Sequence, residues 1–201
     1  MPSISKPRPR SLAIAIVTLL AALTLPASAS AAVERFHRFE AVASALYTVT
    51  KTCDDGSTVT QQIRVIGGHE EEQESGETTL DSNFVTVFIR GFDCEGNFIS
   101  DSGSGPAEFT YSPSLQEAAV TGTITTRQGR TVAVDVTWES TGPLEVTSNT
   151  TTFPGFTGHF VSRRRDAVAT GTVVVDGQTV VNGSTTRAEI ETLEDTNTSH
   201  G

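Results

Sequence analysis

The chain has 201 residues, with 24 acidic side chains against 14 basic ones and two cysteines. Its net charge of −10 repels nucleic-acid phosphates and anionic surfaces and favours a chain that stays soluble. No apolar run is long enough for a comfortable membrane span.

The first residues read as a secretory signal peptide, residues 1–29. Lys6, Arg8 and Arg10 form a positive region, Leu12–Leu25 is apolar, and Pro26–Ala32 offers small residues for cleavage. Cleavage after Ala29 or Ala31 fits equally. No cysteine follows for a lipid anchor, and the end, Glu194–Gly201, is polar with no hydrophobic tail. The protein is therefore expected to be secreted and extracellular, with no membrane anchor and no nucleic-acid partner. Without residues 1–29 it keeps 11 basic residues against 24 acidic ones, a net of −13. Arginine outnumbers lysine among those remaining residues, which reads as a composition bias.

Val33–Ala41 is a mixed lead-in. Alternation begins at Ala43, with Ala45, Tyr47 and Val49 on one face. A turn at Cys53–Ser57 returns the chain along Thr58–Ile66, where Val59, Ile63 and Val65 share a face. Gly67–Thr79, including the acidic Glu70–Glu77, reads as a mobile loop because its like charges repel and it has nothing apolar to bury. Phe84–Phe92 is apolar on both faces and reads as a central strand. Asp93–Asn97 turns it into a short return, Phe98–Ser100, and Ser102–Pro106 reads as a flexible connector. Phe109–Tyr111 is a short strand. Ala119–Thr126 and Thr131–Glu139 form a hairpin turned at Arg127–Gly129, with Val132, Val134, Val136 and Trp138 facing the core. Ser184–Leu193 is the last strand, and residues 194–201 are expected to be a disordered tail.

Cys53 and Cys94 are expected to form one disulfide in an oxidising compartment. Closing that loop stabilises the fold by roughly 3–4 kcal/mol in the chain-entropy view. A free nucleophilic or metal-binding thiol is the alternative. Both cysteines lie beside turns, so neighbouring hairpins would bring them to one end of the fold. An internal echo relates Thr121-Gly-Thr-Ile, with its turn at Gly129, to Thr170-Gly-Thr-Val, with its turn at Gly177. Two similar hairpins on one sheet would account for it, and so would chance among Thr/Val-rich strands. The fold class is all-β: residues 30–193 as a single antiparallel meander closing into a barrel or barrel-like sandwich of about 8–10 strands.

Chemistry-bearing clusters are few. The acidic segment His69–Glu74 lacks the spacing of a calcium loop or a zinc helix and reads as solvated charge, with a weak calcium site as the alternative. Arg163, Arg164 and Arg165 precede Asp166; on one strand Arg163 and Arg165 would point to one face and Arg164 to the other. They either stay wet, sit at a bulge, or place one arginine on a carboxylate or an anionic ligand. A dibasic processing site is a further option. Phe153–Phe160, with Phe156 and His159, either plugs a barrel end or rims a pocket. There is no Gly-x-Ser-x-Gly elbow, and His37, His69, His159 and His200 are scattered. The signal peptide and composition point to a bacterial secreted protein, so the Asn-x-Ser/Thr matches at Asn149, Asn182 and Asn197 carry no weight.

Val134–Leu144, Pro154–Phe156 and Arg165–Val173 together resemble a group of small secreted β-rich proteins of actinomycetes. The resemblance covers the C-terminal third and implies compartment and fold class but no activity. The functional expectation is a non-catalytic ligand- or partner-binding or structural extracellular domain. It needs no cofactor and no metal, and its candidate ligand-binding residues are Phe156, His159, Arg163, Arg164 and Arg165. Its ligand is a small molecule or a protein. A secreted hydrolase with a non-motif active site and a secreted inhibitor acting through Ser148–Gly158 are the alternatives.

Overall fold

The computed structural model describes residues 33–200, so the expected signal peptide and both cleavage positions lie outside the described residues. One antiparallel sheet of ten strands accounts for the architecture. The strands are β1 (Val33–Thr52), β2 (Thr58–Glu74), β3 (Glu77–Phe92), β4 (Phe98–Pro106), β5 (Glu108–Tyr111), β6 (Glu117–Thr125), β7 (Thr131–Ser140), β8 (Glu145–Phe153), β9 (Phe156–Val175) and β10 (Gln178–His200). Their hydrogen-bonded order is β4-β3-β2-β1-β10-β9-β7-β6-β5, with β8 also on β9. The first and last strands therefore pair at the centre, Val33–Ala45 against Ala188–His200.

Alternation decides which side chains enter the core. Ala41, Ala43, Ala45 and Tyr47 of β1, Ile63 and Val65 of β2, Val85, Val87 and Ile89 of β3, and Val132, Val134, Val136 and Trp138 of β7 are all buried. Each large one contributes roughly 1.5–3 kcal/mol by leaving water. Trp138 lies at the centre. A register shift between Thr185 and Ala188 ends the β1–β10 ladder at Ala45. Trp138 Nε1 donates to the Ser44 carbonyl at 2.9 Å and Thr185 Oγ1 to the Leu46 carbonyl at 2.9 Å. Those two side chains thus hold carbonyls at the point where ladder pairing runs out.

The sheet is not closed by strand pairing: β4 and β5 are its two ends. It nevertheless folds over on itself. A Cβ on Gly103 of β4 would lie 2.8 Å from the Thr125 carbonyl, and one on Gly122 of β6 would meet Ala107 and Val85. The Arg127 N–H donates to the Ser102 carbonyl at 2.8 Å. Asp101 of β4 is buried; its carboxylate accepts from Arg130 Nε at 2.9 Å, lies 2.8 Å from Arg130 Nη2, and also accepts from the Ser102 and Gln128 N–H groups.

The hairpin tips Cys53–Ser57 and Asp93–Asn97 have the same hydrogen-bond pattern, each with a glycine at positive φ, Gly56 and Gly96. They sit side by side, and the Cys53–Cys94 disulfide joins them. Three polar segments differ from the sequence expectation. Gly67–Thr79 is the ends of β2 and β3 with a two-residue turn at Ser75–Gly76, Ser102–Pro106 belongs to β4, and Glu194–His200 is strand and not a disordered tail. The reason is non-local. Each segment meets another of equal length whose backbone groups it can satisfy, so it needs only a partner and no apolar side chains of its own. Glu40 opposes Glu70 directly in the β1–β2 register, and Arg38 lies among Glu40, Glu70 and Glu72, its Nη2 2.5 Å from Glu70 Oε1. That arrangement offsets a like-charge pair that would otherwise oppose the ladder.

Candidate functional site

Past the core the sheet continues as an arm. It is built from the N-terminal part of β1, the C-terminal part of β2 with the start of β3, the C-terminal part of β10, the first half of β9, and β8. Register partners share a face, so one face of the arm continues from the core and the other is its outer side.

The five predicted residues divide between these faces. His159 and Arg163 lie on the core-side face, His159 opposite Thr150 and Thr196, Arg163 opposite Val146 and Thr192. Phe156 and Arg164 lie on the outer side. Phe156 packs on Phe153 with ring centroids 6.4 Å apart, and Arg164 Nη2 sits 2.8 Å from Glu189 Oε2. Arg165 is a pin: its Nε donates to the Ser114 carbonyl at 3.0 Å and its Nη1 to the Gly142 carbonyl at 2.9 Å. It ties the β5–β6 and β7–β8 connections to β9. The alternation expected for the three arginines is what the strand shows, and only Arg163 joins His159.

The core-side face adds residues that sequence reasoning missed. Thr196 is the register partner of both His159 and His37, so the three lie in one row across β9, β10 and β1. Glu194 Oε1 lies 3.4 Å from His37 Nε2, and its Oε2 lies 3.5 Å from Arg163 Nη1. At the base of the arm Phe39 stacks on Tyr111, centroids 6.1 Å apart, and Tyr111 on Phe109 at 6.0 Å. Burial pushes the Tyr111 phenol up, and the nearby Glu71 charge adds to that, so it remains a hydroxyl donor. His37 and Arg163 flank the Glu194 carboxylate, and His159, Tyr111, Glu71 and a row of threonines share that face. That set can grip a polar or anionic group; it does not align a nucleophile with a base.

His37 and Glu194 fell in the segments read as lead-in and tail. The alternation Arg35-x-His37-x-Phe39-x-Ala41 runs directly into the buried alanines and was the available signal for the first of them.

Nothing in the acidic segment converges on a metal. Among the described residues no group of three or more His, Cys, Asp or Glu side chains is placed to hold an ion. His69 Nδ1 is 3.0 Å from Asn83 Oδ1, and the Glu side chains alternate between faces. A surface groove of about 480 Å³ beside β5–β7 carries Glu117 and Glu139 as direct register partners, both exposed.

Comparison with family models, with curated proteins and with solved structures found no match to the chain. No helix among the described residues is long and apolar enough to cross a membrane.

Proposed function

We propose that this protein is a secreted, non-catalytic binding domain: a barrel-like sheet, completed where β4 lies on β6, bearing an arm whose core-side face takes a polar or anionic ligand or partner. The row His37, Thr196, His159 with Arg163 and Glu194 alongside supports it. Those side chains are half-buried or exposed, and the contacts among them are those of Glu194 with His37 and Arg163. The disulfide fits an extracellular setting.

The test has two arms. Expression of the full chain with N-terminal sequencing of the culture-medium protein should find a start at Ser30 or Ala32. Amide chemical-shift titration with inorganic phosphate and with a sulfated oligosaccharide should then move resonances around His37, His159 and Arg163, and Arg163→Ala should abolish the shifts. Shifts confined to other surfaces would overturn the site. A second reading, a hydrolase, is favoured only by the Glu117/Glu139 pair in its groove. Turnover of a glycan that disappears in Glu117→Gln would establish it.

A further inference from the structure

We infer that β8 is a self-association edge, along which two copies of this chain join by antiparallel β8–β8 pairing into one continuous sheet. The inference stands on the edge itself and not on the ligand-binding reading.

All nine residues of β8 are exposed, and the strand is bonded on one side to β9. Its other side meets no strand among the described residues. Free edges invite pairing with another chain, and proteins blunt them with charge, proline, bulges or covering segments. The other edges of this sheet are blunted. On the opposite side of the arm, β4 pairs β3 only from Phe84 onward, leaving Glu77–Asn83 as an edge. That edge carries Glu77 and Asp81, and a register shift disturbs it beside Glu72 and Gln73. β4 lies on β6 and ends in Gly105–Pro106, and β5 has only four residues. β8 has none of these guards. Glu145-Val-Thr-Ser-Asn-Thr-Thr-Thr-Phe153 contains no proline, glycine or lysine, no register shift interrupts its pairing with β9, and its single charge is at its first position. Val146 is 57% exposed and Phe153 61%; Leu144 and Phe160 beside them are also exposed large apolar residues.

The occupant follows from charge. The secreted chain is strongly acidic, so two copies repel over most of their surfaces. β8 is the stretch of arm edge where one strand brings only one carboxylate. Opposite residues of an antiparallel pair share a face, which requires a symmetric register centred on a residue. Centring on Asn149 pairs all nine positions: Glu145 with Phe153 of the second copy, Val146 with Thr152, Thr147 with Thr151, Ser148 with Thr150. The two glutamates then lie at opposite ends of the ladder, and β-branched side chains meet across both faces, as strand pairs prefer.

The test uses the full secreted chain with its disulfide intact. Light scattering coupled to gel filtration from about 1 to about 100 μM should show a monomer–dimer equilibrium, as mass action requires. Under mild oxidation Asn149→Cys should cross-link to its own copy, whereas Thr151→Cys, which faces Thr147, should not. Ser148→Lys with Thr150→Lys sets lysine opposite lysine in this register and should give a monomer whose melting temperature matches that of the wild type diluted to its monomeric range. A wild-type monomer across the whole range overturns the inference, since β8 would then serve only a strand of another protein or none. A dimer that survives the double lysine variant and leaves Asn149→Cys uncross-linked overturns it as well.

Discussion

Asp101 shows how one residue links distant parts of the chain. Burial alone would push its carboxyl up, but hydrogen bonds from Thr126, Arg130 and the Gln128 and Ser102 N–H groups outweigh that and hold it below the ordinary carboxylate value. A group with a lowered folded pKa binds fewer protons folded than unfolded. Its stabilisation is therefore present above the unfolded pKa and lost as pH falls through the folded one. Asp101→Asn should cost about 2–4 kcal/mol at pH 7, because it leaves Arg130 without its carboxylate, and the difference from wild type should shrink below about pH 4. Urea unfolding of both proteins at pH 7 and pH 3 checks this; an equal cost at both values would refute the ionic role. Glu40 is shifted the other way, chiefly by burial, with Arg38 opposing and Glu70 and Glu191 adding to it. Its shift works against the folded state as pH rises.

At the scale of elements, the sequence echo corresponds to two hairpins of one sheet, β6–β7 and β9–β10, with β7 against β9. Gly122 and Gly171 both lie within continuous strands, where the space for a side chain differs. A Cβ on Gly171 would fall 2.2 Å from the Asp135 carbonyl oxygen and 2.7 Å from Val136 Cα, both backbone of the adjoining strand. On Gly122 it would meet the Ala107 and Val85 side chains at 3.0 and 3.3 Å, which can give way slightly. Gly171→Ala is predicted to cost about 2–3 kcal/mol and Gly122→Ala about 1 kcal/mol or less. Urea midpoints at constant slope test the order, and the reverse order would mean that β6, not β9, makes the tighter approach. The strands legible beforehand are Ala43–Lys51 and Thr131–Glu139, from apolar alternation of their own, and Phe84–Phe92, from a run apolar on both faces. Glu70–Glu74 and Glu194–His200 were not legible because what makes them strands is a partner distant in the chain.

For the whole molecule, the disulfide is the covalent tie between neighbouring hairpins, with Cα atoms 5.6 Å apart and a sequence separation of 41. Cys53→Ala with Cys94→Ala should lower stability by roughly 3–4 kcal/mol through the freer unfolded chain. Calorimetry should show a lower melting temperature while the amide spectrum of the arm stays unchanged, since the staple lies at the opposite end of β1 and β2 from it. A loss of arm resonances would mean the two ends are coupled.

What the sequence by itself determined was the strand-forming core, including which face of Thr131–Glu139 is buried; that Cys53 and Cys94 share one end and that Arg163 and Arg164 diverge followed from it only given neighbouring hairpins and an unbroken strand. Each depends on a two-residue period or a local turn. Only the tertiary structure decided that the first and last strands pair, that His37, His159, Glu194 and Arg163 meet on one face, and that Arg165 is bound to loop carbonyls. Backbone hydrogen bonding between remote segments carries no side-chain signature, so pairing β1 with β10 is visible only once the chain is folded.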